Sequence, residues 1–203
     1  VKYRPGYPPQ VLDFFREEMA LNSSHVIADI GSGTGISAKL FLENGNEVFG
    51  VEPNEAMREA SKVFLKDFPN FQAVDGTAEK TNLKDKSVDI IIAAQAFHWF
   101  KQEKTRSEFR RILKNKGFTT LIWNERQLDS NKFLREYEQF LNEFGSDYKE
   151  VRHDNISAKI LADFFPNPFQ MTTFVNSQIL DFAGLKGRVL SSSYMPAEDD
   201  SRV

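Results

Sequence analysis

The apolar positions of this chain change period along its length. After Pro9 they fall at Val11, Leu12, Phe14, Phe15 and Met19, the spacing of one helical face. "HVIADI" is a short apolar run that meets Gly31, which predicts a buried strand. "ISAKLFLENG" predicts a helix ending near Gly45, and "EVFGV" a second strand. "NEAMREASKVFLKDF" predicts a helix with Asn54 as its N-cap, followed by a third strand in "FQAVD". "SVDIIIAAQAF" is nearly continuous in apolar residues, as a parallel strand covered on both faces must be. "KQEKTRSEFRRILKNKG" predicts an amphipathic helix closed by Gly117, and "FTTLIW" a fifth strand.

Strands alternating with helices predict an α/β fold, a Rossmann-like doubly wound and mostly parallel sheet. Residues 128–166 break the rhythm with "FLREYEQFLNEF" and "SAKILADFF". They are expected to form a helical cap inserted over the carboxyl ends of the strands. "FQMTTFVN" predicts a further strand, and "SQILDFAGLKGRVLSSS" a helix running into a serine-rich turn. The start, "YRPGYPP", reads as an extended segment. No internal repeat interrupts the pattern, so residues 1–203 are expected to be one domain with the cap inside it.

Composition narrows the chemistry. There is no cysteine, which excludes disulfides, Cys-ligated zinc, iron–sulfur clusters and a thiolate nucleophile. The 3 histidines are scattered without metal-ligand spacing, so no metal site is expected, and His25 and His153 read as structural. A formal net charge of -3 gives no electrostatic reason to expect a nucleic-acid or anionic-membrane partner. No apolar run reaches the roughly 18–20 residues of a membrane span, and no secretory signal is visible. A cytoplasmic location is the expectation.

The candidate site lies in "ADIGSGTGISAKL", with Gly31, Gly33 and Gly35 between a strand and a helix. Glycine permits positive φ and close backbone approach, and the helix beyond favours negative charge. The spacing is G-x-G-x-G, with Ile36 where a dinucleotide fingerprint carries its last glycine. Asp29 precedes the loop, and Glu52 follows "VFGV" where a carboxylate can accept both hydroxyls of a ribose.

These residues resemble the class I S-adenosylmethionine-dependent methyltransferases. Asp29, Gly31, Gly33 and Gly35 match that family's first motif, and Glu52, with Pro53 after it, the second. "VDGTAEKTNLKDKSVDIII" is similar to the third motif and the approach to the fourth strand. The resemblance implies Thr77, Ala78 and Glu79 along an adenine, and Gln95 at the cofactor. "YRPGYP", "FHWF", "WNER" and "GLKGRVLSSSYMP" are similar to the type-11-like branch and to trans-aconitate methyltransferase-like proteins. That family ends in a strand hairpin completing a seven-stranded sheet, whereas this sequence ends at Val203.

By the same resemblance, Tyr3, Arg4 and Tyr7 fold over the cofactor. Arg4 can meet its carboxylate, a substrate anion, or solvent. Gln95 to Trp99 border the transfer site if the fourth strand points at the cofactor. His98 can act as a base there, or it can pack with Trp99 and only shape the pocket. Asn124, Glu125 and Arg126 follow the fifth strand, and Arg126 can bind an acidic substrate or bridge to a neighbouring carboxylate. Arg188, Ser191, Ser193 and Tyr194 can line a pocket or cap a helix.

The expected activity is methyl transfer from S-adenosylmethionine to a small-molecule acceptor, such as a carboxylic acid, through proximity and orientation. A nucleic-acid acceptor is disfavoured, because no Asn/Asp-Pro-Pro-Tyr motif follows the fourth strand. A nicotinamide-dependent oxidoreductase and a non-catalytic cofactor-binding module stay open as alternatives.

Overall fold

The computed structural model describes residues 3–146, 148, 158–192 and 194–195. His153 and Ser193 lie outside the described residues. The chain divides into two compact units, one from Val1–Pro5, Asn124–Leu161 and Ser177–Val203, the other from Gly6–Trp123 and Ala162–Asn176.

The larger unit opens with helix α1 (Gln10–Met19). It continues through β1 (Val26–Ile30), α2 (Ile36–Glu43), β2 (Glu47–Val51), α3 (Glu55–Phe64), β3 (Phe71–Val74), β4 (Val88–Ala94), α4 (Gln102–Ile112) and β5 (Leu113–Ile122). All strand pairs are parallel, in the order β3-β2-β1-β4-β5. The chain winds outward from β1 in one direction and from β4 in the other. Their boundary is the topological switch point, outside whose carboxyl ends such sheets bind ligands.

The apolar runs explain the packing. Ile27 of β1 and Ile90 and Ile92 of β4 join Phe15, Phe41, Val48 and Leu65 in one buried cluster. Side chains alternate across a strand, so Ile91 and Ala93, also fully buried, face the other way. Burying side chains of this size contributes about 1.5–3 kcal/mol each. Beyond β4, Phe97 packs edge-on against Phe164 at 4.7 Å and Trp123 at 6.3 Å. Asn54 caps α3 as its position predicts, its side chain accepting from the Met57 amide at 3.0 Å.

Two expectations are corrected. Helix α4 ends at Ile112, and Leu113 to Gly117 already belong to β5 rather than to the helix. The β4–β5 register shifts between Val88 and Ile90, so the extra residues of β5 bulge. A Cβ at Gly117 would stand 2.6 Å from the Asp89 carbonyl oxygen. This glycine marks a close backbone approach inside a strand, not a helix end. The stretch "FQMTTFVN" is no strand. Phe174 packs on the core and Asn176 donates to the Gly6 carbonyl at 2.9 Å, while Met171 and Val175 stay exposed. Side-chain anchors fix the segment where no neighbouring strand offers a ladder.

The smaller unit contains helix α5 (Lys132–Phe144) and helix α7 (Phe182–Leu190), and helix α6 (Ala158–Phe164) is shared at the boundary. Asn131 caps α5 by accepting from the Leu134 amide at 2.9 Å, and Asp181 caps α7 by accepting from Gly184 at 2.7 Å. Among the described residues, no helix is long and apolar enough to cross a membrane.

Candidate functional site

The glycine loop leaves β1 at the switch point. Gly31, Gly33 and Gly35 have φ of 70°, 54° and 86°, a region that other residues enter only at a cost. Their surroundings differ. A Cβ at Gly31 would stand 2.6 Å from that of Ala96, and one at Gly35 would stand 2.6 Å from Leu65 Cδ1. A Cβ at Gly33 would meet nothing within 4 Å. The outer two glycines therefore let the loop pack down, and the middle one presents bare backbone to open space.

Glu52, just beyond β2, is buried and aims both carboxylate oxygens at main-chain amides. Oε2 accepts from Gly33 at 2.9 Å and Oε1 accepts from Asn54 at 2.9 Å. A carboxylate has about four acceptor positions, so each oxygen keeps capacity for a hydroxyl. Arg58 holds this corner: Nη1 donates to the carbonyls of Glu52 and Pro53 at 2.9 and 2.7 Å and pairs with Asp75 at 3.0 Å. That clamp from α3 joins the ends of β2 and β3, and the sequence reading missed it.

Asp29 is fully buried on β1. It shares a face with Ile27, and Ser37 in the first turn of α2 donates to its Oδ2 at 2.6 Å. Oδ1 finds no hydrogen-bond donor among the described residues. Burial pushes this carboxyl up to about 7, against the Ser37 hydroxyl and the Ala38 amide, and the Glu52 charge adds to the rise.

Thr77 and Lys80 close a turn through their main chains at 2.9 and 3.2 Å, with Ala78 buried in it. Glu79 Oε1 accepts from the Lys101 amide at 2.8 Å. Burial raises the Glu79 carboxyl, but that amide, the turn and the Lys101 charge outweigh it and hold the group below its usual value. Glu79 thus ties the turn to the segment after β4. Gln95 ends that strand with φ of 59°, its amide donating to the Ile122 carbonyl at 2.9 Å. A non-glycine residue in this region at a strand end stores strain of about 1–3 kcal/mol. His98 lies in a short 3₁₀ helix, Phe97–Trp99, with its ring 4.8 Å from that of Trp99. Trp99 is 65% exposed.

The larger unit therefore brings Asp29, Gly31, Gly33, Gly35, Glu52 and Pro53 together, and it carries Thr77, Ala78, Glu79, Gln95, His98 and Trp99 in the segments after β3 and β4. Tyr7 packs against the core cluster.

Tyr3, Arg4, Asn124, Arg126 and Tyr194 belong to the smaller unit. There Arg4 Nη2 donates to the Ser191 carbonyl at 2.6 Å, and a Cβ at Gly187 would strike the Tyr3 ring. Arg126 bridges to Glu138 and donates to the Tyr148 hydroxyl at 2.8 Å, with its guanidinium 4.9 Å from the centre of the Tyr137 ring. Tyr148 also donates to Glu138 at 2.6 Å and packs on Tyr194 at 5.0 Å. Of the two readings for Arg126, the carboxylate bridge is the one formed. Ser191 and Ser192 donate to the Arg188 carbonyl at 2.8 and 3.2 Å, which caps α7.

This five-stranded order, with a glycine loop after β1 and an acidic residue after β2, is the class I methyltransferase fold. An S-adenosyl-L-methionine-dependent methyltransferase assignment from Methanococcus maripaludis superposes with a TM-score of 0.60 at 22% identity, over 77% of this chain and 72% of that one. Residues 28–121 match the family model of a methyltransferase domain. An uncharacterised methyltransferase of Schizosaccharomyces pombe is 35% identical over 124 residues, 61% of this chain and 48% of that protein. One of Mycobacterium tuberculosis is 35% identical over 123 residues, 61% of this chain and 48% of the relative. A methyltransferase assigned to an antibiotic biosynthesis pathway of Anabaena variabilis shares 29% identity at a TM-score of 0.60, over 80% of this chain and 62% of that one. Residues 28–121 thus match a methyltransferase domain on the class I methyltransferase fold. The chain spans about half the length of the curated relatives it matches first. Those relatives are named only as uncharacterised methyltransferases, so the narrower trans-aconitate resemblance gains nothing from them.

The residues fit that cofactor. Gly33 offers open main chain, and Glu52 stands beside it with spare acceptor capacity. S-adenosylmethionine carries a ribose and a positive charge, which match a carboxylate acceptor and an acidic loop base.

Proposed function

We propose that the chain transfers the methyl group of S-adenosylmethionine to a small-molecule acceptor. The observation that carries this reading is the pairing of the bare Gly33 surface with the anchored Glu52 carboxylate. Glu52 accepts the ribose hydroxyls, and the loop from Gly31 to Gly35 takes the amino-acid end against its main chain. The Thr77–Ala78–Glu79 turn and Pro53 flank the adenine, with Gln95 completing the cofactor's surroundings. The bound cofactor supplies a methyl group already activated on a sulfonium. The protein's task is then alignment and exclusion of water, and orientation alone can supply about 7–11 kcal/mol.

Trp99, exposed in the segment after β4, is assigned to the acceptor. His98 takes a proton where the acceptor is a hydroxyl or amine and only shapes the pocket where it is a carboxylate. The slight negative charge favours a small molecule over nucleic acid, and a cytoplasmic site of action accords with a chain lacking cysteine. A small-molecule acceptor also accords with the antibiotic pathway of the Anabaena relative.

The test is transfer from methyl-labelled S-adenosylmethionine to a panel of small carboxylic acids, phenols and amines. A labelled product with matching S-adenosylhomocysteine is expected. Cofactor binding without product from any acceptor class would favour a non-catalytic module. Binding of a nicotinamide dinucleotide instead would overturn the reading.

A further inference from the structure

Asp29 sits where an ionised carboxylate has little support. It is fully buried, and no lysine, arginine or histidine pairs with it among the described residues. The carboxylate has the Ser37 hydroxyl on Oδ2 and the Ala38 amide in support, and Oδ1 has no donor. Its partners across the sheet are Gly50 on β2 and Ile92 on β4, neither of which brings charge. The charged group that faces it is Glu52, another carboxylate, held in place by two amides. A buried carboxylate so placed lowers its free energy by taking up a proton, since a neutral carbonyl oxygen without a donor costs far less than a buried negative charge without a counter-ion.

We infer that Asp29 is a positioning residue carried largely as the neutral acid in the ligand-free chain below neutral pH, and that it releases its proton when a cation settles on the glycine loop. The inference rests on the methyl-donor reading above. The loop begins two residues beyond Asp29, so a ligand cation held there supplies the positive charge that the fold itself withholds. The ionised form then attracts that cation and Ser37 bonds to it more strongly. The O–H bond of Asp29 breaks and the proton passes to solvent buffer, with no other bond changed. The value of about 7 reached through burial is consistent with half-occupancy of the proton near neutral pH.

The experiment is calorimetric titration at pH 7 in buffers of different ionisation enthalpy, beside infrared spectra of the ligand-free chain. S-adenosylmethionine and S-adenosylhomocysteine, which both carry the amino-acid ammonium placed on the loop, should each release a substantial fraction of a proton per site. The ligand-free chain should show a protonated-carboxyl stretch that fades as pH rises through 7. D29N should bind with no proton released and should lack that stretch. S37A keeps the carboxyl but removes its donor, so its stretch should persist to higher pH. Binding with no buffer dependence and no such stretch would overturn the inference while leaving the methyl-donor reading intact. Absence of binding in every buffer would instead overturn that reading, and the infrared titration would still decide the state of Asp29.

Discussion

Replacing Glu52 by glutamine tests the site at its most connected atom pair. The carboxylate accepts two main-chain hydrogen bonds, from Gly33 and Asn54, each 2.9 Å long. Hydrogen bonds to a charged group contribute about 1.5–3 kcal/mol each. Glutamine keeps one acceptor and turns an NH2 group toward the other amide, so one bond is lost and two donors face each other. E52Q should therefore unfold about 2–4 kcal/mol more easily than the parent, before any ligand is considered. The assay is urea unfolding with and without S-adenosylhomocysteine. At 100 times its dissociation constant the ligand stabilises the parent by about 2.7 kcal/mol. E52Q should gain distinctly less at the same concentration, because it keeps only one of the two carboxylate oxygens that would accept the ribose hydroxyls. Stability within about 0.5 kcal/mol of the parent would refute the loop-anchoring role, being inside the range of ordinary surface changes. An undiminished gain on adding ligand would refute the ribose role.

Other variants separate folding from binding. G31A should destabilise strongly, because its Cβ meets that of Ala96 at 2.6 Å, whereas G33A should cost only the left-handed strain of about 1–2 kcal/mol yet lower S-adenosylhomocysteine affinity at least tenfold. Thermal unfolding and calorimetry on the pair distinguish the two roles; equal losses of stability would contradict it. Glu108 is held down to about 2 by Arg111 first and then by the Thr81 hydroxyl and amide, despite its burial. Its stabilisation is present above pH 4.5 and is lost as pH falls toward 2. Linkage puts this at about 3 kcal/mol, nearer 2 after screening at the half-exposed Arg111. E108Q should be less stable at neutral pH and should flatten the urea-midpoint profile between pH 5 and 2, and an unchanged slope there would contradict the assignment. R126M leaves Glu138 without its cation and should cost about 3 kcal/mol, much of which E138Q should restore in the double variant. Purely additive losses would show that the two side chains do not act as a pair.

Much of this site was legible in the chain because its signals are local. A buried strand that stops at Gly31, Gly33 and Gly35 can only turn sharply, and Asn54 stands where a helix needs its cap. Glu52 was legible by its place after β2, though its hold on the Gly33 amide was not. What escaped depends on distant neighbours. The alternation in residues 169–176 states which side chains can share a face, but not whether a strand lies alongside. Gly117 looked like a helix stop, and only the Asp89 carbonyl beside it explains the bulge. Arg126 finds Glu138 on α5, 12 residues away and at no helical or strand spacing that marks a pair. Asp29 was matched to a motif, but its burial without a cation is a property of the folded sheet.

The most direct test of the methyl-donor site is the binding of S-adenosylhomocysteine to the folded chain by titration calorimetry, with E52A beside it. The account predicts one site of micromolar affinity in the parent and no detectable heat in a folded E52A. Absence of binding by the folded parent, or equal affinity in E52A, would contradict it.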